Sequence, residues 1–267
     1  MQNTKAIIKK WYERLGFPKE FDAEFHTALE NIDIPNDVTI ETYDKNTDDG
    51  KRHLLTFLYL CEGLEAKYKA LGIPEEILID TLLDIPRWTK TWSSVKGTLY
   101  LGELPWLNHH FTMKIFKLGR LQFYLGYAGG DIPVANVRTG DAVLDVHIPS
   151  DGKLTPEECY RSFDKAREFF PKYFPEHKFK CFTCHSWLLD DTLKKYLPSD
   201  SNIIKFGDMF TKLREDVRLD LIRYMFTWDT TKENLPKRVP KGKTAERIKA
   251  AVLAGEEFHS TFGVIPL

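Results

Sequence analysis

The feature that most constrains this chain is the stretch from Asp141 to Phe206, which reads as strand, sharp turn, capped helix and strand. Asp141 to Ile148 alternates, putting Ala142, Leu144, Val146 and Ile148 on one face and Val143, Asp145 and His147 on the other. Pro149-Ser150-Asp151-Gly152 is a turn cluster. Thr155-Pro156-Glu157-Glu158 then supplies an N-cap, a proline at the first helical position and early acids. Cys159, Phe163, Ala166 and Phe170 recur at helical spacing, and Pro171 is expected to close the helix. Phe179 to Trp187 gives a second strand, which leads into a short helix ending at Leu197-Pro198, and Ile203 to Phe206 reads as a third, short strand. Strand, helix, strand in this order favours a right-handed crossover and a partly parallel sheet.

The first hundred residues read as helical. Ile7, Ile8, Trp11, Tyr12 and Leu15 share one apolar face that Gly16 ends, and Phe21, Phe25, Ala28 and Leu29 make a shorter one. After a polar loop at 44–51, Arg52 to Leu71 carries Leu54, Leu55, Leu58, Cys61, Leu64 and Tyr68 nearly in register, and Gly72-Ile73-Pro74-Glu75 stops it and starts the next helix. Trp88, Trp92, Val95 and Leu99 continue the pattern. From Lys114 to Tyr127 the period changes to two, with Leu121, Phe123 and Leu125 set against Arg120, Gln122 and Tyr124. Asp208 to Tyr224 is ambiguous between helix and strand, and Thr244 to Leu253 is a helix.

The bulk composition narrows the function. A net charge of -1 gives no global field for nucleic acid or an anionic membrane. No apolar run reaches the roughly 18 residues of a spanning helix, and the opening residues read as an amphipathic helix rather than a signal peptide. Four cysteines among 267 residues make no disulfide framework, so a reduced, cytoplasmic protein is expected.

Three segments of the second half each offer a polar face: Arg120, Gln122 and Tyr124; Asp145 and His147; Thr183 and His185. A sheet flanked by helices normally buries apolar side chains on both faces, so a repeated polar face points to a cleft, with a solvent-facing sheet side as the alternative. His147 stands out because Asp145 lies on the same strand face and can orient or charge it. Cys181 and Cys184 invite a metal or Cys/His reading. Residues three apart on a strand point to opposite faces, however, and no second ligand pair follows, so no metal is expected. Lys237 to Thr244 ends in Gly-Lys-Thr before a helix but lacks the first glycine and preceding strand of a phosphate-binding loop.

Three motifs carry a resemblance. H-I-P-S-D-G-K-L from His147, C-H-S-W-L-L from Cys184 and L-P-S-D-S-N-I from Leu197 resemble the signatures of bacterial two-domain acyltransferase-like proteins, which join a helical N-acyltransferase N-terminal domain to a GNAT-like C-terminal domain. The resemblance spans most of the chain. It implies an α/β (α+β) protein with a helical N-terminal domain at 1–112 and a GNAT-like mixed-sheet acyltransferase domain at 113–267. It also implies N-acyl transfer from acetyl-CoA or another acyl-CoA to an amine on a small molecule or peptide. On that reading Ile148, Gly152, Lys153 and Thr155 hold the cofactor. His147 is the general base, Asp145 orients it, Tyr124 protonates the leaving thiolate, and Arg120, Gln122, Thr183 and His185 complete the cleft. The GNAT pyrophosphate turn usually carries Arg or Gln, two variable residues, Gly, a variable residue, then Gly or Ala, whereas this turn has a single glycine. A non-catalytic ligand-binding or regulatory protein on a degenerate GNAT scaffold is therefore the alternative.

Overall fold

The computed structural model describes residues 2–267, and the chain divides into two compact units, one through Phe116 and one from Lys117 onward. The first unit is helical: α1 (Gln2–Arg14), α2 (Asp22–Glu30), α3 (Gly50–Leu71), α4 (Glu75–Leu82), α5 (Asp84–Lys96) and α6 (Leu104–Phe111). Trp11 of α1 is fully buried, and its indole N–H donates to Glu62 of α3 at 3.0 Å while the Arg14 guanidinium rests 4.3 Å from its ring centre. Asp49 caps α3 by accepting from the Arg52 N–H at 3.0 Å, and Gly72 ends it with φ of 69°.

The second unit is built on a six-stranded sheet in the order β1-β2-β3-β4-β6-β5. Its strands are β1 (Ile115–Leu118), β2 (Leu121–Tyr127), β3 (Ala142–His147), β4 (Cys181–Ser186), β5 (Thr211–Val217) and β6 (His259–Pro266), with α7 (Pro156–Tyr173), α8 (Asn202–Gly207), α9 (Asp220–Met225) and α10 (Lys243–Leu253) between them. β3 runs antiparallel to β2 and parallel to β4, with α7 as the crossover, while β6 runs antiparallel to both β4 and β5.

Helix α7 positions everything that follows. Thr155 caps it, accepting from the Glu158 N–H at 3.4 Å. The Ser162 hydroxyl accepts from the backbone N–H groups of Arg120, at 2.8 Å, and Leu121, at 3.3 Å, which pins the β1–β2 turn to the helix. Phe163 packs edge-on against Phe123 of β2 and Phe182 of β4, with ring centres 5.9 and 4.9 Å apart.

Two sequence expectations need correction. Pro171 does not close α7, which runs on to Tyr173; the Phe174 N–H still bonds the Phe170 carbonyl at 2.8 Å, and the Phe169, Phe170 and Tyr173 rings cluster around that turn. The segment 203–206 is helical and not a strand, because Ser201 caps α8 by accepting from the Ile203 N–H at 3.3 Å, so Ile204 and Phe206 are buried from a helix. The period-two run at 114–127 is two strands, broken at Gly119 with φ of 77°. The ambiguous segment resolves into β5 followed by α9. Strand β6 went unread from the sequence, although it separates β4 from β5.

Candidate functional site

The pleat sorts β2, β3 and β4 into two faces. The face toward α7 carries Phe123, Leu144, Val146, Phe182 and Cys184. The opposite face carries the residues singled out from the sequence. Tyr124 stands opposite Asp145, Asp145 opposite Thr183, and Gln122 opposite His147. Tyr124, Asp145 and Thr183 thus form a row across three strands, with Gln122 and His147 in the neighbouring row. One end of this face is closed by Ala128, Ile132 and Val137, which cluster with Val143, Cys181 and Val264.

Asp145 is mostly buried. Its carboxylate accepts a hydrogen bond from the Thr183 hydroxyl, and its other oxygen lies where a side chain on residue 126 would stand, so the space exists because residue 126 is glycine. Burial raises its pKa, an effect that the Thr183 hydroxyl offsets in part. Cys181 and Cys184 are also buried, and desolvation raises both thiols, with the Asp145 charge adding to it; Cys181 is pushed up to about 11. Cys184 sits on the α7 face with 1 % exposure, which makes it a core residue and a poor nucleophile. Among the described residues no group of three or more His, Cys, Asp or Glu side chains is placed to hold a metal.

The pairing between β3 and β4 is short. Its register consists of Leu144 with Phe182 and Asp145 with Thr183, whereas β3 pairs with β2 as far as His147, and β4 pairs with β6 as far as Ser186. The two parallel strands therefore part beyond Asp145 and Thr183, leaving a wedge with His147 on one side and His185 on the other. At the end of β3 lies the turn from Ile148 to Thr155. Gly152, with φ of 73°, and Lys153 are exposed, and Ile148 and Thr155 are half-buried. Arg120 belongs to the β1–β2 turn and not to a strand face; it donates from Nε to the Lys153 carbonyl at 3.1 Å. Lys117 meets Asp151 at 2.9 Å. Cations thus gather around the turn at the start of α7, where the helix end also favours an anion.

His185 turns toward β6 and β5, with Nε2 3.2 Å from the Ser260 carbonyl and 3.2 Å from an Asp216 oxygen. Beside it opens a cleft of about 260 Å³ lined by Trp187, Asp220, Arg223, Tyr224 and Trp228. Trp187 ends the strand read from the sequence, but Asp220, Arg223 and Tyr224 lie on a helix inside the ambiguous segment and Trp228 on the loop after it, so sequence reading did not bring them together. Gly126 was missed too, although an isolated glycine within a strand is a sign of close approach.

Residues 115–265, more than half of the chain, match the family model described as the GNAT-like C-terminal domain. The chain belongs to the GNAT-like C-terminal domain family. Residues 8–113 match the N-acyltransferase N-terminal domain. The GNAT-like fold also resembles solved structures of an acyltransferase in complex with decanoyl-CoA (TM-score 0.79, 23% identity) and of an acyltransferase in complex with decanoyl-CoA and teicoplanin (TM-score 0.78, 22% identity). Each likeness covers 97% of this chain and 87% of the other. No curated protein sequence matches the chain.

Proposed function

We propose that this GNAT-like protein is an acyl-CoA-dependent N-acyltransferase, with residues 1–112 as its helical domain and 113–267 as its catalytic domain. The observation that carries the reading is the wedge between β3 and β4, which opens beside the capped start of α7 with His147 on its wall. The solved relatives named above hold decanoyl-CoA in the same fold, which supports an acyl-CoA as co-substrate. Their teicoplanin complex supports an amine-bearing small molecule or peptide as acceptor. The four cysteines are free and buried, and among the described residues no helix is long and apolar enough to cross a membrane; both suit a cytoplasmic setting where thiols stay reduced.

The residues present fit a CoA thioester. Gly152 lets the turn adopt a left-handed conformation, while the Lys153 ammonium and the N–H groups after Thr155 favour the pyrophosphate charge. Ile148 offers an apolar edge at the mouth of the wedge. When bound, the thioester supplies an electrophilic acyl carbon. His147 takes the amine proton as the N–C bond forms, and Tyr124 gives a proton to sulfur as the C–S bond breaks. Asp145, two residues before His147 on the same face, favours the imidazolium that results. Gln122 and Thr183 fix the rows in which these groups stand, and Arg120 holds the turn.

Thermal unfolding with a panel of acyl-CoAs tests the reading. Binding to the native state alone adds RT ln(1 + [L]/Kd), about 2.7 kcal/mol at a hundredfold excess over Kd, so the midpoint rises by several degrees. The rise shrinks in Lys153→Glu. A flat response to every acyl-CoA, in a buffer where a known GNAT enzyme responds, removes the transferase reading and promotes the degenerate scaffold.

A further inference from the structure

The cleft beside His185 has no part in the mechanism above, yet its place and lining are specific. It lies on the same sheet face as Asp145 and His147. His185 is two residues beyond Thr183 and pairs with Phe262, while Ser260, two residues before Phe262, pairs with Asp216 of β5. The cleft therefore adjoins the open side of the wedge, away from α7.

Its walls are of two kinds. Trp187 and Tyr224 lie with ring centres 5.7 Å apart and planes inclined by 35°, and Trp228 meets Tyr224 edge-on at 5.3 Å. Tyr224 is half exposed, so part of its ring faces the cleft and solvent. The second kind is charge. The Arg223 guanidinium rests 5.8 Å from the Trp228 ring centre and, among the described residues, meets no carboxylate at ion-pair distance. Asp220 accepts from the Ser260 hydroxyl at 2.9 Å, and Asp216 stands against His185. A carboxylate has further lone pairs to offer a cation. Flat aromatic walls, one cation, a carboxylate on the wall and a second behind His185 describe a site for a ring that bears both an anion and an ammonium group.

We infer that this cleft is the acceptor subsite and that it takes an amine carrying an aromatic ring and a carboxylate, as an aromatic amino acid does. The ring lies against Trp187 and Tyr224, the carboxylate pairs with Arg223, and Asp216 and Asp220 draw the ammonium toward His185 and the mouth of the wedge. A volume of about 260 Å³ suits one such residue. The transfer step rests on the acyltransferase reading: the bound ammonium first loses one proton to solvent, the free amine nitrogen then bonds the acyl carbon and gives a second proton to His147, and sulfur leaves with the electron pair of the C–S bond and takes a proton from Tyr124. The binding of the ring and carboxylate stands without it.

The test measures thiol release from acetyl-CoA and decanoyl-CoA with L-phenylalanine, phenethylamine, which lacks the carboxylate, and L-alanine, which lacks the ring. The cleft predicts that kcat/KM for phenylalanine exceeds that for each of the others by about 10- to 100-fold, the worth of one charged hydrogen bond or one buried ring. Arg223→Gln narrows the phenylalanine-to-phenethylamine ratio, and Tyr224→Ala narrows the phenylalanine-to-alanine ratio. Both residues are exposed, so both variants keep the fold. Equal rates for the three amines, or ratios unmoved by these variants, overturn the inference. If none of the three amines is acylated, the acyl-CoA thermal shift decides the transferase reading separately, and calorimetric titration of L-phenylalanine into the protein alone decides the subsite: heat lost in Arg223→Gln supports it, and no heat overturns it. Acylation of phenethylamine without reaction or competition by phenylalanine keeps the transferase and removes the subsite.

Discussion

The two faces of β2–β3–β4 are made from alternate residues of the same strands, yet they obey different rules. Toward α7 stand Phe123, Phe163 and Phe182, with ring centres between 4.9 and 5.9 Å apart, and Phe123 and Phe182 are fully buried. On the reverse stand Tyr124, Asp145, Thr183, Gln122 and His147 in two cross-strand rows, and beyond them a cleft. The difference teaches that pleat parity divides the labour: odd steps along β3 face the chemistry and even steps hold the fold. Substitutions on the two faces should therefore separate stability from activity.

The largest effect expected on the packed face is that of Phe163→Ala. The ring is 2 % exposed and touches three other phenylalanines, so its loss should cost about 3–5 kcal/mol in urea unfolding, with kcat per folded molecule unchanged. An unchanged unfolding midpoint would mean that the face is not the core it looks like. On the other face, His147→Ala should cut acyl transfer about 10²–10⁴-fold while leaving unfolding nearly unmoved. A joint loss of stability and activity would make His147 a structural residue and break the division.

His110 of α6 shows what a structural histidine looks like and so sharpens the contrast. It is fully buried, bonded to Asp84 at 2.9 Å, and Arg87 already pairs with the same carboxylate. A second cation is not needed there, and burial holds the His110 pKa down to about 4. The unfolded chain, with the ordinary value near 6.5, binds the proton first. This contribution is therefore complete above about pH 6.5 and is lost as the pH falls toward 4, by about 3 kcal/mol. The difference in unfolding free energy between the wild type and His110→Gln, followed by urea titration, should shrink over that window. A constant difference would show that His110 is already charged in the fold.

Much of the fold was legible because its signals are local. Thr155-Pro156 marks the start of α7, and alternation marks β3 and the polar row. What stayed hidden depends on distant partners. Strand β6 is buried on both faces and holds Gly263, where a side chain would strike Leu189 at 2.6 Å, so its alternation is blurred. The capped turn at Ser201 outweighed the apolar run Ile203–Ile204, a conflict that four residues of sequence cannot decide. Within the site, residues on one strand face were readable from parity alone. Arg223, Tyr224 and Trp228 were not, because only the fold brings α9 beside β4.

The smallest expected effect is the most discriminating, because Asp145 stands on the boundary between the two kinds of residue. It is buried like a core group and polar like a site group. Its raised pKa means that the folded state holds the proton above the pH at which the unfolded chain releases it. Wild-type stability therefore declines as the pH rises through that window, and the decline is absent in Asp145→Asn. The asparagine keeps the size and a partner for the Thr183 hydroxyl, so near neutral pH it should gain stability, by under about 1 kcal/mol. Acyl transfer should fall about tenfold, equivalent to about 1.4 kcal/mol, as His147 loses the neighbouring charge that favours its imidazolium. Unfolding and kinetics on this one variant then point in opposite directions, as expected of a residue kept for chemistry at some cost to the fold. Lower stability with unaltered transfer would instead assign Asp145 to the packed side, and the charge assisting His147 would have to come from another residue of the polar face.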